Sequence, residues 1–282
     1  MKPESLKFKK NESFYIRDGW CEKAINAIQE NQDVNIFSKN NGILMLGIGS
    51  NMVKGLRYWL QAGNLINSTA TKTSLTEFGK CVYKYDRYFE DYFSWFFVHY
   101  FLSVNYEECP VFYGVFNNNI HSFKKNELVV LLKQQFTSDG FVIREEYIDE
   151  DTSIFLKSYV NDGVIYNPED NYVCPLSSLK LLKKSSDKIE KTKPSYNKLS
   201  YLIIYYALLE LYKTDSFKIE DSFNDERSPF LLFNLDKNMY LQYLEEMKKN
   251  GLITINKTAG LNTVYFEKRM SLKQIFDGYF GG

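Results

Sequence analysis

Apolar residues recur at helical spacing across residues 51–62. Met52, Val53, Leu56, Trp59 and Leu60 form one stripe, and Asn51, Lys54, Arg57, Tyr58 and Gln61 fall on or beside the opposite face. Gly49 and Ser50 precede the stripe as a turn, with Ser50 the expected N-cap, and Gly63 stops the helix. Upstream, residues 20–28 repeat the amphipathic pattern after the strand-like Phe14-Tyr15-Ile16-Arg17. Downstream, residues 65–76 read as two short strands around a polar tip. Three helical segments and a hairpin in this span are the parts of a winged helix. Lys and Arg suit phosphate oxygens, and Asn and Gln suit base edges. Asn51, Lys54, Arg57, Tyr58 and Gln61 are therefore the candidate DNA-binding residues, with Lys72 at the wing tip beside Thr69 and Thr71. An ordinary solvated helix face carries the same residue types, so the surroundings decide between the two.

The rest of the chain divides by pattern. Residues 76–182 read as a helical, aromatic-rich middle. Thr76 is placed to cap a helix through Tyr85, and Asp86–Leu102 reads as one long buried helix. Asn117-Asn118-Asn119 is a loop, Ser122 opens a helix to Lys133, and another helix runs from about Thr152 to Tyr159. Asp162-Gly163 is a turn, and Pro175–Leu182 a short helix. Residues 183–198 are Lys-rich and nearly free of core residues, the pattern of a linker. In residues 199–282 the first pattern returns: helices near 199–212 and 237–249, then strands near 252–256 and 263–266 about Lys257-Thr258-Ala259-Gly260. The predicted architecture is mostly α (α+β), with winged-helix-like modules at 1–75 and 199–282 flanking the middle.

Charge sharpens this division. The 282 residues carry 35 Lys/Arg and 35 Asp/Glu, but residues 1–75 hold 10 and 6, a net of +4, whereas residues 76–180 hold 9 and 16, a net of −7. The positive excess lies on the first module and on the Lys-rich stretch, where it favours phosphate. The second module shows Tyr240, Glu245, Glu246, Lys248 and Lys249 outward, which suits dimerisation or partner binding better than base reading.

Cys21, Cys81, Cys109 and Cys174 are scattered without a Cys-x-x-Cys pair, and His99 and His121 are the two histidines, so a structural zinc site is disfavoured. The longest apolar run, near residues 92–102, is too short to span a bilayer, and the N-terminus has no apolar signal core. The expected location is cytoplasmic.

Several short blocks resemble a domain-of-unknown-function family of bacterial phage-defence operons. They are Phe14–Trp20, Phe37-Ser38-Lys39-Asn40, Leu46–Val53 with Arg57-Tyr58-Trp59, Leu75–Gly79, Asp86–Asp91, Trp95 with His99-Tyr100, Pro175-Leu176 and Phe233–Asp236. Members of that family sit beside a cysteine desulfurase and a sulfur-transfer ATPase in DNA phosphorothioation (Ssp-type) systems, and the best-known member is described as a DNA-nicking component. The resemblance implies double-stranded DNA and those enzymes as partners.

Nicking a phosphodiester ordinarily needs carboxylates around Mg²⁺ or Mn²⁺, or a His or Tyr as base or nucleophile. The richest constellation is Tyr83–Asp91 followed by His99. On a continuous helix Asp86 and Glu90 share a face, which makes them the candidate catalytic pair. Acidic residues opening a helix also serve its dipole. The Asp221, Asp225 and Glu226 cluster reads as a solvated loop, and no Gly-rich phosphate loop is present. The function expected from residues and resemblance together is a DNA-binding component of a phosphorothioation defence system. It acts either as a nicking subunit or as a non-catalytic adaptor for the sulfur-transfer enzymes.

Overall fold

A computed structural model describes residues 3–31, 34–38, 41–160, 173–258 and 261–281. Asp162-Gly163, Lys39-Asn40 and the turn residues Ala259-Gly260 lie outside these.

The N-terminal third carries α1 (Trp20–Glu30), α2 (Asn41–Leu46) and α3 (Ser50–Ala62), then the antiparallel pair β1 (Ile66–Ser68) and β2 (Thr73–Leu75). The stripe predicted on α3 is its inward face: Val53, Leu56, Trp59 and Leu60 are buried, and the Trp59 indole donates to the Phe14 carbonyl at 2.8 Å. Two local expectations change. Gly49, not Ser50, is the N-cap of α3, with no side-chain cap bond. Phe14–Arg17 forms no strand, and Ile16 within it is buried in the core.

Thr76 caps α4 (Glu77–Tyr85) as expected, its Oγ1 accepting the Gly79 N–H at 3.0 Å. The long helix predicted from Asp86 is shorter: α5 spans Tyr92–Val104, and residues 86–91 form a turn with Phe89 at φ 54°. The middle continues with α6 (Pro110–Phe116), β3 (Ser122–Phe123), α7 (Lys125–Ser138) and α8 (Glu145–Tyr159). Ser122 lies in β3, and the N-cap of α7 is Lys124, boxed by Glu127. A 3-10 turn follows at Pro175–Leu179.

The Lys-rich stretch read as a linker folds as a hairpin, β4 (Leu182–Ser185) with β5 (Lys188–Lys191), and β5 also pairs with β3. Lys183 faces Glu190 across the hairpin at 3.0 Å, and Leu182 is buried beneath it.

The C-terminal part contains α9 (Tyr201–Leu211), β6 (Ser216–Lys218), α10 (Pro229–Leu232), α11 (Lys237–Lys249), β7 (Ile253–Thr258), β8 (Leu261–Phe266) and α12 (Leu272–Phe280). Its sheet is antiparallel in the order β6-β8-β7. Among the described residues the protein is therefore mostly helical with three small antiparallel sheets.

One apolar core runs through all of these regions. Phe276 of α12 lies 5.1–6.0 Å from the rings of Phe78, Phe93 and Phe97, edge-on to the first two and tilted against the third, and aromatic pairs add about 0.5–1.5 kcal/mol each beyond burial. His99, in the middle of α5, is fully buried. Its Nε2 donates to the Leu232 carbonyl at 2.9 Å, which leaves Nδ1 to accept from the Tyr159 hydroxyl at 2.6 Å. Burial pushes its pKa down to about 3, so it joins α5, α8 and α10 as a neutral ring. It cannot reach a substrate.

Candidate nucleic-acid interface

The wet face of α3 does not stand free along its length. At the N-terminal end Asn51 and Lys54 are exposed, with the Lys54 ammonium 3.2 Å from Asn51 Oδ1. One turn further on, the side chains turn toward the hairpin. Arg57 Nε donates to Ser68 Oγ at 2.9 Å and its Nη2 to the Thr69 carbonyl at 2.8 Å. Gln61 Nε2 donates to the Ser68 carbonyl at 3.0 Å. Tyr58 turns the other way: its hydroxyl donates to the Glu108 carbonyl at 2.5 Å and lies 3.3 Å from Cys109 Sγ. Burial holds the Tyr58 pKa well above the ordinary phenol value, so that hydroxyl stays a neutral internal donor.

The hairpin needs these ties because it has only two strands. Ser68 and Thr73 hydroxyls meet across it at 2.8 Å. Asn35 clamps its far side, donating to the Ala70 carbonyl at 3.0 Å and accepting from Thr73 Oγ1 at 3.1 Å. Thr69 closes the tip, its Oγ1 accepting the Lys72 N–H at 3.1 Å.

Between α3, the hairpin and the N-terminal segment lies a cleft of about 700 Å³. It gathers Lys54, Arg57, Tyr58 and Gln61 from the predicted set, and adds Lys7, Lys10 and Asn67, which the helical pattern does not reveal. Lys7 is paired with Glu107 at 2.8 Å and Glu108 at 2.5 Å, whereas Lys10 is exposed. Lys72 is not in this cleft. It lines a second one on the other side of the hairpin, with Gln29, Lys80 and Tyr83.

The N-terminal segment that forms the outer wall is held by Asp151 of α8. That carboxylate accepts the Lys9 N–H at 3.0 Å and Asn11 Nδ2 at 3.0 Å, and burial lifts its pKa to about 6.

The candidate catalytic pair is placed differently from the helical expectation. Asp86 is buried, and its oxygens accept the N–H groups of Glu90 at 2.9 Å and Asp91 at 3.3 Å. It closes the turn between α4 and α5, and burial raises its pKa above the ordinary carboxylate value. Glu90 is exposed and lines a cleft with Asp18 and Tyr92. The two carboxylates are thus not side by side on a helix: one is consumed inside the turn that positions the other. Asp91 caps α5 through the Phe93 N–H at 2.8 Å and accepts from Tyr279 of α12 at 3.1 Å. In the other acidic cluster, Asp225 accepts from Tyr212 at 2.5 Å and Glu226 from Tyr113 at 2.9 Å. Among the described residues no three His, Cys, Asp or Glu side chains gather as a metal-binding group. All four cysteines are free and buried, and no helix among those residues is long and apolar enough to cross a membrane.

The profile of a family described as protein of unknown function, DUF4007, matches residues 8–280. No curated protein matches the sequence. Two solved structures share the fold. A magnesium-ion-bound SspB crystal structure matches with a TM-score of 0.83 at 23% identity, covering 99% of this chain and 88% of that one. A further SspB crystal structure matches with a TM-score of 0.82 at the same identity and coverage.

Proposed function

We propose, from the premise that the chain belongs to the DUF4007 family, that it is a DNA-binding component of a bacterial DNA phosphorothioation and phage-defence system. The observation that carries the reading is the gathering of Lys7, Lys10, Lys54 and Arg57 around one cleft beside α3, in the part of the chain that holds the positive excess. Lys7 is paired with Glu107 and Glu108 and Arg57 is bound to the hairpin, so the exposed Lys10 and Lys54 are the cations proposed for phosphodiester oxygens. The module that presents them is winged-helix-like: α1, α2 and α3 stand for the three helices and β1-β2 for the wing. Asn51 and Lys54 at the exposed start of α3, with Lys72 and Thr71 on the hairpin, are the contacts proposed for double-stranded DNA. The C-terminal unit, with its order β6-β8-β7, is a second winged-helix-like module and the proposed seat of dimerisation or of docking to the cysteine desulfurase and sulfur-transfer ATPase.

Likeness of fold to the magnesium-bound SspB structure motivates a nicking activity as the finer form of this function. In that form Glu90 is the candidate Mg²⁺ or Mn²⁺ ligand, since Mg²⁺ is commonly held by one or two carboxylates and keeps its waters. Asp86 is the residue that positions it through the Glu90 N–H. The non-catalytic adaptor is favoured by the same observation, because Asp86 has its oxygens occupied by backbone donors. Incubation of supercoiled plasmid with purified protein and either metal separates the two. Conversion to open circle that is lost in Glu90→Ala supports the nickase. Binding without conversion supports the adaptor, and absence of any DNA binding overturns both.

A further inference from the structure

The cleft beside α3 has two walls, and this bears on which form of DNA enters it, an inference that rests on the DNA-binding reading above. Lys54 of α3 and Asn67 of the hairpin stand on one side, and Lys10 of the N-terminal segment on the other. A helix that reads duplex DNA enters a major groove about 12 Å wide with its face unobstructed. The C-terminal half of α3 does not meet that condition. Arg57 and Gln61 are bound to the hairpin, Tyr58 is bound to Glu108, and the outer wall is fixed in turn by Asp151 and by the Lys7 ion pairs. The remaining space, about 700 Å³, is within the range of about 300–1,000 Å³ typical of pockets for a single small ligand. It is room for a nucleotide-scale segment. Donors on both walls match the positively charged grooves that track one backbone.

We infer that this cleft takes a single DNA strand, with Lys10 and Lys54 on its phosphates and Asn67 on its base edges, while duplex is met at the exposed start of α3. Lys54 lies at the junction of the two surfaces, so Lys10 and Asn67 report on the cleft alone.

Fluorescence anisotropy on the full chain at one salt concentration tests this with a short oligo(dT), the matching dA·dT duplex and thymidine monophosphate. Oligo(dT) is expected to bind about tenfold more tightly than the duplex. The double change Lys10→Ala with Asn67→Ala should weaken oligo(dT) by about tenfold. An unchanged thermal melt of the variant shows that it folds. Duplex binding as tight as oligo(dT), or wild-type oligo(dT) affinity in the double variant, overturns the inference. So does monophosphate binding as tight as the oligonucleotide, which would make the cleft a mononucleotide pocket. Duplex binding that depends on Lys54 without any oligo(dT) binding sinks the inference alone, and failure to bind either DNA sinks the proposed function with it.

Discussion

The N-terminal and C-terminal units are built from the same parts, a helix followed by a β-hairpin, yet they hold the hairpin in opposite ways. In the C-terminal unit β8 has a strand on either side, so backbone pairing fixes it and the outer face of α11 stays free for charge pairs such as Lys248 with Glu245. Among the described residues the N-terminal hairpin has no third strand, and side chains substitute: Arg57 and Gln61 from α3 and Asn35 from the opposite loop. Polar residues on a helix face are therefore not all available to a ligand. Where the sheet is incomplete, some of them replace the missing strand.

The helix ends differ in the same spirit. After α11 the left-handed position is Gly251 at φ 66°, with open space where a Cβ would go, while after α3 it is Asn64 at φ 57°. Crowding near the N-terminal hairpin falls instead on Gly79, where a Cβ would lie 2.1 Å from the Leu65 carbonyl oxygen. Gly79→Ala is expected to cost about 3 kcal/mol, since backbone must move, and Gly251→Ala about 1 kcal/mol for the left-handed backbone alone. Chemical denaturation of both variants checks the order. Equal losses would mean that the N-terminal hairpin yields as easily as an open turn.

His99 sharpens the comparison at the C-terminal boundary, because it ties α10 to the middle through the Leu232 carbonyl. His99→Phe removes the donor to that carbonyl and the ring acceptor of the Tyr159 hydroxyl, at about 1–3 kcal/mol. The folded pKa, about 3, lies below the ordinary value of about 6.5. The unfolded chain therefore takes up the proton first, and stability falls as pH drops from about 6.5 toward 3 by up to about 1.4 kcal/mol per unit. Asp151, with its pKa raised to about 6, works in the opposite direction below pH 6 and does so in both proteins. The difference between wild type and His99→Phe thus isolates the histidine, and the variant should show the flatter acid limb in urea titrations across pH. Parallel curves would contradict the buried neutral ring.

Arg57→Ala removes two bonds to the hairpin and should cost about 1 kcal/mol, with hydrogen exchange rising at Ser68–Thr73. Unchanged exchange there would show that the hairpin does not depend on α3. The smallest effect expected is Lys248→Ala with Lys249→Ala, within about 0.5 kcal/mol in stability.

Much of this architecture was readable from the sequence. Strong amphipathic periodicity gave α1, α3 and α11, and the turn residues between short β-prone runs gave both hairpins. Three features were hidden for physical reasons. Asp86–Leu102 looks continuous because its polar start is composed of good helix openers, yet the Asp86 carboxylate captures the N–H groups of Glu90 and Asp91 and folds the chain back. In residues 183–191 the solvated faces of a small sheet carry Lys and Ser, so a hairpin with Leu182 as its buried anchor has the composition of a tether. All seven residues of α6 are buried, which erases any helical period. In the candidate site, the types on α3 were legible but their partners were not. Ser68 is the partner of both Arg57 and Gln61 only once the hairpin folds back, and Lys10 reaches the cleft because Asp151 lies 140 residues from Asn11 in sequence and beside it in space.

DNA is proposed to be held by the first unit and not by the second. Salt-dependent binding of a duplex by two double variants tests it most directly: Lys54→Ala with Lys72→Ala, and Lys248→Ala with Lys249→Ala. None of these four lysines braces a hairpin. The first pair is expected to weaken binding across unrelated sequences and to lower the slope of log affinity against log salt by about 2, one for each lost phosphate contact, while the second pair leaves both unchanged. Loss of binding in the Lys248 and Lys249 variant, with wild-type affinity and slope in the Lys54 and Lys72 variant, would contradict it.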